Sequence, residues 1–425
     1  MRINIFGSTG IIGSKTLDII NNFFPKIKVN LLCANSNVRK LIRQIEFYSP
    51  KYVYINDTSK ADFLKKNIKN NIKVLNFIEL KSYLRNSNSD LTLLAISGYK
   101  SLNYFEQILM NTNSLGLVSK EAIVSAGHLF NNLKKKLKNK IYPLDSEHFS
   151  IFQNFDKNNL NLNKIKLTAS GGPFLGRNFK SLRHISFLDA SKHPKWKMGY
   201  KNSIDSATLV NKCLELVEAH YLFNLPFDKL DIVIHPESKI HSIFEYNNYL
   251  YNMIAFQNDM SIPIYNFLNQ KFNYTLHNNK FKITHNESLS FSNVNYLEFP
   301  IYKYFKNLNK KPSNIIKFNV GNEHAVNLFK NNQIKYTEIL KIISKITSIN
   351  MEYQLNNIKD IINFNVGNEY AVNLFKNNKI KYTEILKIII KITTIDMKYK
   401  LNNIDDIIHY HELLEIKISE KLSYK

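Results

Sequence analysis

At 425 residues the chain is long enough for two or three domains with separate cores, which excludes a peptide or an isolated tail. A formal charge of +24 ordinarily points to nucleic acid or an anionic surface, but the Lys excess accompanies abundant Asn, Ile, Phe and Tyr and few Gly and Trp. That is the bias of A/T-rich coding, so charge alone assigns no polyanion partner, and KKKLKNK at 134–140 reads as solvated surface. No run of about 18 apolar residues occurs, MRINIFGSTG enters a strand directly, and Cys33 and Cys213 read as buried thiols in a reducing compartment. The expectation is a cytoplasmic protein with no nucleic-acid or membrane partner.

In chain order, INIFG, VNLLCA, YVYI and LTLLAIS are strand-like and alternate with amphipathic segments, which predicts an open, mainly parallel sheet over residues 1–144. Residues 145–268 mix strands such as IKLTAS and DIVIHP with a helix, the pattern of an α+β domain. An Asn-rich stretch at 269–295 reads as a linker, and residues 296–425 as helical. Within the last part, 316–361 and 362–407 are consecutive 46-residue copies that differ at nine positions. Two copies this similar indicate a tandem duplication inside one domain, since solenoids use more units and diverge further. The fold class is therefore α/β, with an N-terminal Rossmann-like domain, a central α+β catalytic domain and a duplicated helical C-terminal domain.

Gly7-Ser8-Thr9-Gly10-Ile11-Ile12-Gly13 between a strand and a helix suits a dinucleotide: glycines allow close approach of a pyrophosphate to free helix N–H groups. Cys33-Ala34-Asn35-Ser36-Asn37 ends the next strand without a carboxylate, which favours NADP over NAD. Ser119-Lys120-Glu121 places charge at the mouth of the sheet, or simply starts a helix. Asp145 and Glu147, two apart in an extended backbone, would share a face and offer two carboxylates to a hard divalent cation; a helix-capping cluster is the alternative. Ser170-Gly171-Gly172-Pro173 is a turn suited to an oxyanion, or a plain Gly-Pro turn. His193, Trp196 and Gly199 lie in a Lys/Gly segment able to close as a lid. A helix from Ser206 to about His220 would carry Asn211, Lys212 and Glu215 on one arc, either a solvated face or a site. His235 and His241 lack zinc spacing and read as structural.

In family order, GSTGIIG, LVSKEAIVSAG, PLDSEHFSIFQ, LTASGGPF, HPKWKMGYKNSIDSATLVNKCLELVEA, IHPESKIHS and NDMSIPI closely resemble the 1-deoxy-D-xylulose 5-phosphate reductoisomerases of non-mevalonate isoprenoid synthesis. The resemblance implies a homodimer that rearranges and reduces a small phosphorylated sugar with NADPH and Mg²⁺ or Mn²⁺, Co²⁺ being a further candidate. It implies that Asp145, Glu147 and Glu215 bind the metal, and that Lys120, Glu147 and His193 are catalytic. Substrate would lie on Lys120, Ser146, Glu147, Ser170, His193, Ser206, Asn211, Lys212 and Glu215, with Trp196 on the closing loop. Cofactor would lie against Thr9, Gly10, Ile11, Ile12, Asn35, Ser36, Asn37, Ser119, Glu121 and Gly199. Ile11 stands where the family has Ser, Ser119 where it has Asn, Asn35-Ser36 where it has Gly-Lys, and Asn258-Asp259-Met260-Ser261 where it has PDMR or PDMK. The alternative from another class is a non-catalytic relic whose duplicated segment serves as an interaction surface.

Overall fold

A computed structural model describes residues 1–348 except 70, 99–100, 137–139, 157–160, 193–198, 273 and 275–287. The first sheet is built from β1 (Arg2–Phe6), β2 (Lys28–Ala34), β3 (Tyr52–Ile55), β4 (Lys73–Leu75), β5 (Ser89–Leu94), β6 (Thr112–Leu117) and β7 (Lys140–Pro143). Its seven strands run parallel in the order β4-β3-β2-β1-β5-β6-β7. Helices α1 (Ile11–Phe23), α2 (Val38–Tyr48), α3 (Ala61–Lys66), α4 (Phe77–Asn86), α5 (Leu102–Met110) and α6 (Lys120–Lys136) connect them. Apolar runs such as Ile3, Ile5, Leu31, Leu32, Leu91 and Leu93 are fully buried, as strands covered on both faces require. The chain reverses direction across the sheet at β1, between β2 and β5, and that switch point opens the crevice into which the glycine turn projects.

Helix α7 (Ser146–Asn154) leads from β7 into the second sheet: β8 (Leu162–Ala169), β9 (Leu230–Ile234), β10 (Ile240–Tyr246), β11 (Tyr251–Ala255) and β12 (Ser292–Asn293), ordered β11-β10-β8-β9-β12. Only β8 and β9 pair in parallel; β10, β11 and β12 join antiparallel. The parallel crossover carries α8 (Phe187–Ala190), α9 (Tyr200–Ala207) and α10 (Val210–Phe223). Then α11 (Ser261–Leu268) precedes the helical part, α12 (Pro300–Asn307), α13 (Pro312–Lys330) and α14 (Ile339–Thr347).

Three expectations change. The single helix from Ser206 is two: α9 ends at Ala207, and Leu209, buried and left-handed at φ 65°, redirects the chain into α10. A non-glycine residue in that region costs about 1–2 kcal/mol, which the packed surroundings of Leu209 offset. Residues 259–268, grouped by sequence with the second domain, pack on the first: Ile264, Phe267 and Leu268 share a core with Ile3, Leu17 and Phe24, and Lys15 pairs with Asp259 at 2.5 Å. Within 269–295, Ser292 and Asn293 form β12 rather than linker. Copy one of the repeat supplies most of α13 and all of α14 up to Ser348; copy two lies outside the described residues.

Candidate active site

Lys120 opens α6 after β6, and Asp145 caps α7 after β7, so two adjacent parallel strands deliver both to the carboxyl edge of the sheet. Asp145 does not share an extended face with Glu147. It is the N-cap, accepting from the Glu147 backbone N–H at 3.3 Å, and the two carboxylates converge through the first helical turn. The capping alternative is the conformation observed, and it still leaves the two carboxylates close together.

Helix α10 brings Asn211, Lys212 and Glu215 against this edge. Its approach to α6 depends on Gly127, where a Cβ would stand 2.1 Å from the Tyr221 ring. The polar arc is therefore not a solvated face: Glu215 is 1 % exposed and Lys212 8 %. Lys120 Nζ donates to Asp145 at 2.7 Å, Glu215 at 2.8 Å and Asn211 Oδ1 at 3.1 Å. Lys212 Nζ donates to Glu215 at 2.7 Å and also to Glu147. Asn211 Nδ2 donates to Glu215 at 2.5 Å, and Ser146 Oγ to Glu147 at 2.5 Å. Behind them His148 Nε2 donates to the Glu215 carbonyl at 2.8 Å, while its Nδ1 lies 3.5 Å from Asp145 and 3.7 Å from Glu218.

Burial opposes every charge here, so the partners decide. Desolvation alone would lower Lys120, but Asp145, Glu215 and Glu218 hold it well above the usual lysine value. Burial likewise disfavours charge on Lys212, and Glu147 and Glu215 outweigh it. Asp145 is held well below the usual range because Lys120 and His148 overcome its desolvation. Glu215 is raised by burial and by the Asp145 carboxylate, and Glu218 is pushed up to about 8 by burial.

Asp145, Glu147 and Glu215 present carboxylate oxygens that lie within 4.8 Å of one another. All are oxygen donors, they come from two segments, and the ammonium groups of Lys120 and Lys212 offset only two of their three charges. A hard divalent cation fits that donor set.

The crossover aligns the other expected ligands. A Cβ on Gly172, at φ 68°, would stand 3.0 Å from Ala207 Cα and 3.1 Å from the Ser206 carbonyl, so the turn of Ser170 lies close against the end of α9. Asn211 and Lys212, expected on a phosphate, are tied here to the carboxylates. Gly199 caps α9. His193 and Trp196 lie outside the described residues.

On the first sheet, Gly7 at φ 84° and Gly13 permit the turn: a Cβ on Gly13 would stand 2.3 Å from the Gly7 carbonyl, and one on Gly7 2.3 Å from that of Ala95. Thr9 and Gly10 lead into α1, Ile11 and Ile12 begin it, no side chain caps it, and Ile11 is 67 % exposed. Asn35 accepts from Asn56 at 3.0 Å, Asn37 caps α2, and Ser119 Oγ donates to the Ile96 carbonyl at 2.5 Å. Glu121 lies in the first turn of α6.

Sequence reading missed three residues of this surround. Glu218 lies three residues after Glu215, so helical periodicity places it on the same arc. His148 stood in DSEH without an assigned role. Lys60 Nζ, paired with Asp57 at 3.1 Å, also donates to the Ser36 carbonyl at 2.9 Å beside the segment expected to face the cofactor, a tertiary contact with no local signal. His235 and His241 bond backbone carbonyls, of Ser290 at 2.9 Å and Phe256 at 3.1 Å, and stack on Phe291 and Phe256.

A parallel sheet with a glycine turn at its switch point, joined at its carboxyl edge to a carboxylate and lysine cluster, defines an α/β enzyme of the dinucleotide-binding class. Family models match along the chain: 1-deoxy-D-xylulose 5-phosphate reductoisomerase at residues 3–127, its C-terminal domain at 141–223, and a DXP reductoisomerase C-terminal domain at 257–366. The 1-deoxy-D-xylulose 5-phosphate reductoisomerase of Pelagibacter ubique is 37% identical over 350 residues, 81% of this chain and 90% of its own. The chain belongs to the 1-deoxy-D-xylulose 5-phosphate reductoisomerase family. Among solved structures, the Zymomonas mobilis enzyme in complex with NADPH superposes with a TM-score of 0.78 at 28% identity, covering 93% of this chain and 99% of that one. A DOX-P reductoisomerase in complex with NADPH, fosmidomycin and magnesium gives 0.77 at 26% identity, covering 99% of each.

Proposed function

We propose that the protein converts 1-deoxy-D-xylulose 5-phosphate to 2-C-methyl-D-erythritol 4-phosphate, using NADPH and Mg²⁺ or Mn²⁺. The observation that carries this reading is the convergence of Asp145, Glu147 and Glu215 at the same sheet edge as the glycine turn. NADPH suits the turn at Thr9 to Ile12, and the absence of a carboxylate after β2, with Lys60 nearby, suits a 2′-phosphate. Relatives bearing this name and solved homologues with NADPH and magnesium support the same assignment.

Asp145, Glu147 and Glu215 hold the cation, which when bound supplies Lewis acidity toward neighbouring substrate oxygens. Lys120, protonated among carboxylates, adds a fixed positive charge where negative charge develops on oxygen during carbon–carbon cleavage. Ser170, Ser206, Asn211 and Lys212 take the phosphate; the four-carbon stem of Lys212 lets its ammonium reach either a carboxylate or that group. Phosphate binding away from the reacting carbons contributes orientation. His193 and Trp196 act from the segment before Gly199 to cover the substrate and exclude water.

A homodimer is part of this reading. β11 is an edge strand with Tyr251 and Met253 exposed on it and Tyr249 and Leu250 exposed in the turn before it, a surface that monomeric proteins ordinarily protect. Two free cysteines suit a cytoplasmic location, and no described helix is long and apolar enough to cross a membrane. Copy one occupies the helical position beside α6 and α10, and the family match ends at 366, just inside copy two. Excision of residues 362–407 should therefore leave turnover intact.

Purified protein with substrate, Mg²⁺ and NADPH should consume NADPH, and a chelator should stop it reversibly while NADPH binding persists. No consumption at any metal or cofactor concentration overturns the activity. Sedimentation at micromolar concentration should give a dimer; a monomer overturns that part.

A further inference from the structure

The helix α13 packs beside α6 and α10 and also reaches the segment before α10 directly. Asn322, fully buried, donates from Nδ2 to Asp205 Oδ1 at 2.7 Å. Asp205 is 1 % exposed and accepts from Lys201 at its other oxygen, 2.8 Å away. The amide orientation follows from chemistry: reversed, Asn322 would set its carbonyl against a carboxylate. Beyond the end of α13, Tyr336, also fully buried, donates its hydroxyl to the Ala207 carbonyl at 2.8 Å. Two buried hydrogen bonds thus hold the residues on either side of Ser206, immediately before the left-handed Leu209.

We propose that Asn322 and Tyr336 are positioning residues for the phosphate-binding segment: they clamp the last turn of α9 so that Ser206 and the first turn of α10 keep one spacing. This rests on the reading of Ser206, Asn211 and Lys212 as phosphate ligands. Neither residue is among those proposed to take the phosphate. Loss of the clamp therefore weakens phosphate recognition and leaves the metal cluster and the nucleotide turn in place.

The test must answer for the duplication, because copy two repeats both residues as Asn368 and Tyr382. In the full chain, N322D and N368D together put a carboxylate opposite Asp205 whichever copy is used. The KM for the phosphorylated substrate should rise by about tenfold or more, and affinity for inorganic phosphate should fall by a similar factor. kcat and NADPH affinity should stay within about threefold. Adding D205N restores the pair with donor and acceptor exchanged, and should recover both phosphate measurements. Unchanged KM and phosphate affinity in the double variant overturns the proposal. So does a joint loss of KM, kcat and NADPH affinity that D205N fails to recover, because that is general damage to the fold. A wild type that binds inorganic phosphate but never turns over refutes the proposed activity instead, and the phosphate measurement still decides the clamp.

Discussion

The glycine turn after β1 and the cluster between α6, α7 and α10 are built from different materials. At the turn, backbone is what is offered: Gly7 and Gly13 have no room for a Cβ, while Ile11 points its side chain outward. At the cluster, buried charges partner one another, so Lys120 touches Asp145, Glu215 and Asn211 at once. Backbone recognition tolerates side-chain drift and forbids added volume; the charge cluster tolerates volume poorly and charge loss not at all. The departures from the family at Ile11, Asn35-Ser36 and Ser119 fall on the tolerant side, and none falls among the three carboxylates.

Glu215→Gln should break the cluster side most completely. It keeps the shape but leaves Lys120 and Lys212 sharing fewer negative charges, so turnover should drop by about a thousandfold or more while circular dichroism stays native. Activity near wild type would mean that Glu215 is not a ligand. On the turn side, Gly13→Ala should force the Gly7 carbonyl aside, costing about 2–4 kcal/mol in urea unfolding and at least about tenfold in NADPH affinity. An unperturbed affinity would show that the turn does not bind the nucleotide through its backbone.

A smaller effect sharpens the difference in charge economy. Burial holds His241, on β10, neutral down to about 4, whereas unfolded it takes up a proton below about 6.5. Its contribution to stability is complete above that value and is lost as pH falls from 6.5 toward 4, by up to about 3 kcal/mol. His241→Gln should flatten that part of the profile in urea midpoints measured across the range, and an identical slope would assign the loss elsewhere. Smallest of all, Ile11→Ser should change the KM for NADPH by no more than about threefold, because the exposed side chain alters little of what the backbone offers. A larger change would give that side chain a direct role.

The first sheet was legible because strand, glycine turn and helix follow one another within residues 3–23 and their periodicities differ. β10 and β11 were not read, although the Asn247-Asn248 pair between them is a hairpin signal. The break at Leu209 had no local cue, neither Gly nor Pro; tertiary contacts such as that of Tyr336 with the Ala207 carbonyl set it against helix propensity. Sequence placed Asp145 and Glu147 on one extended face, whereas Asp145 caps α7, since an Asp before a helix caps it rather than extending a strand. Asn322 with Asp205, and Lys60 with Ser36, meet across 117 and 24 residues and leave no pattern in a single sequence.

The left-handed Leu209 has one more consequence. Ser206 lies on one side of that joint and Asn211 on the other, so the gap between these two residues, proposed to take the phosphate, is set by a bend in the chain rather than by a rigid rod. The joint works like the rivet of a pair of calipers. A glycine there would relax the strain and loosen the rivet, and the instrument would lose its setting with both jaws undamaged.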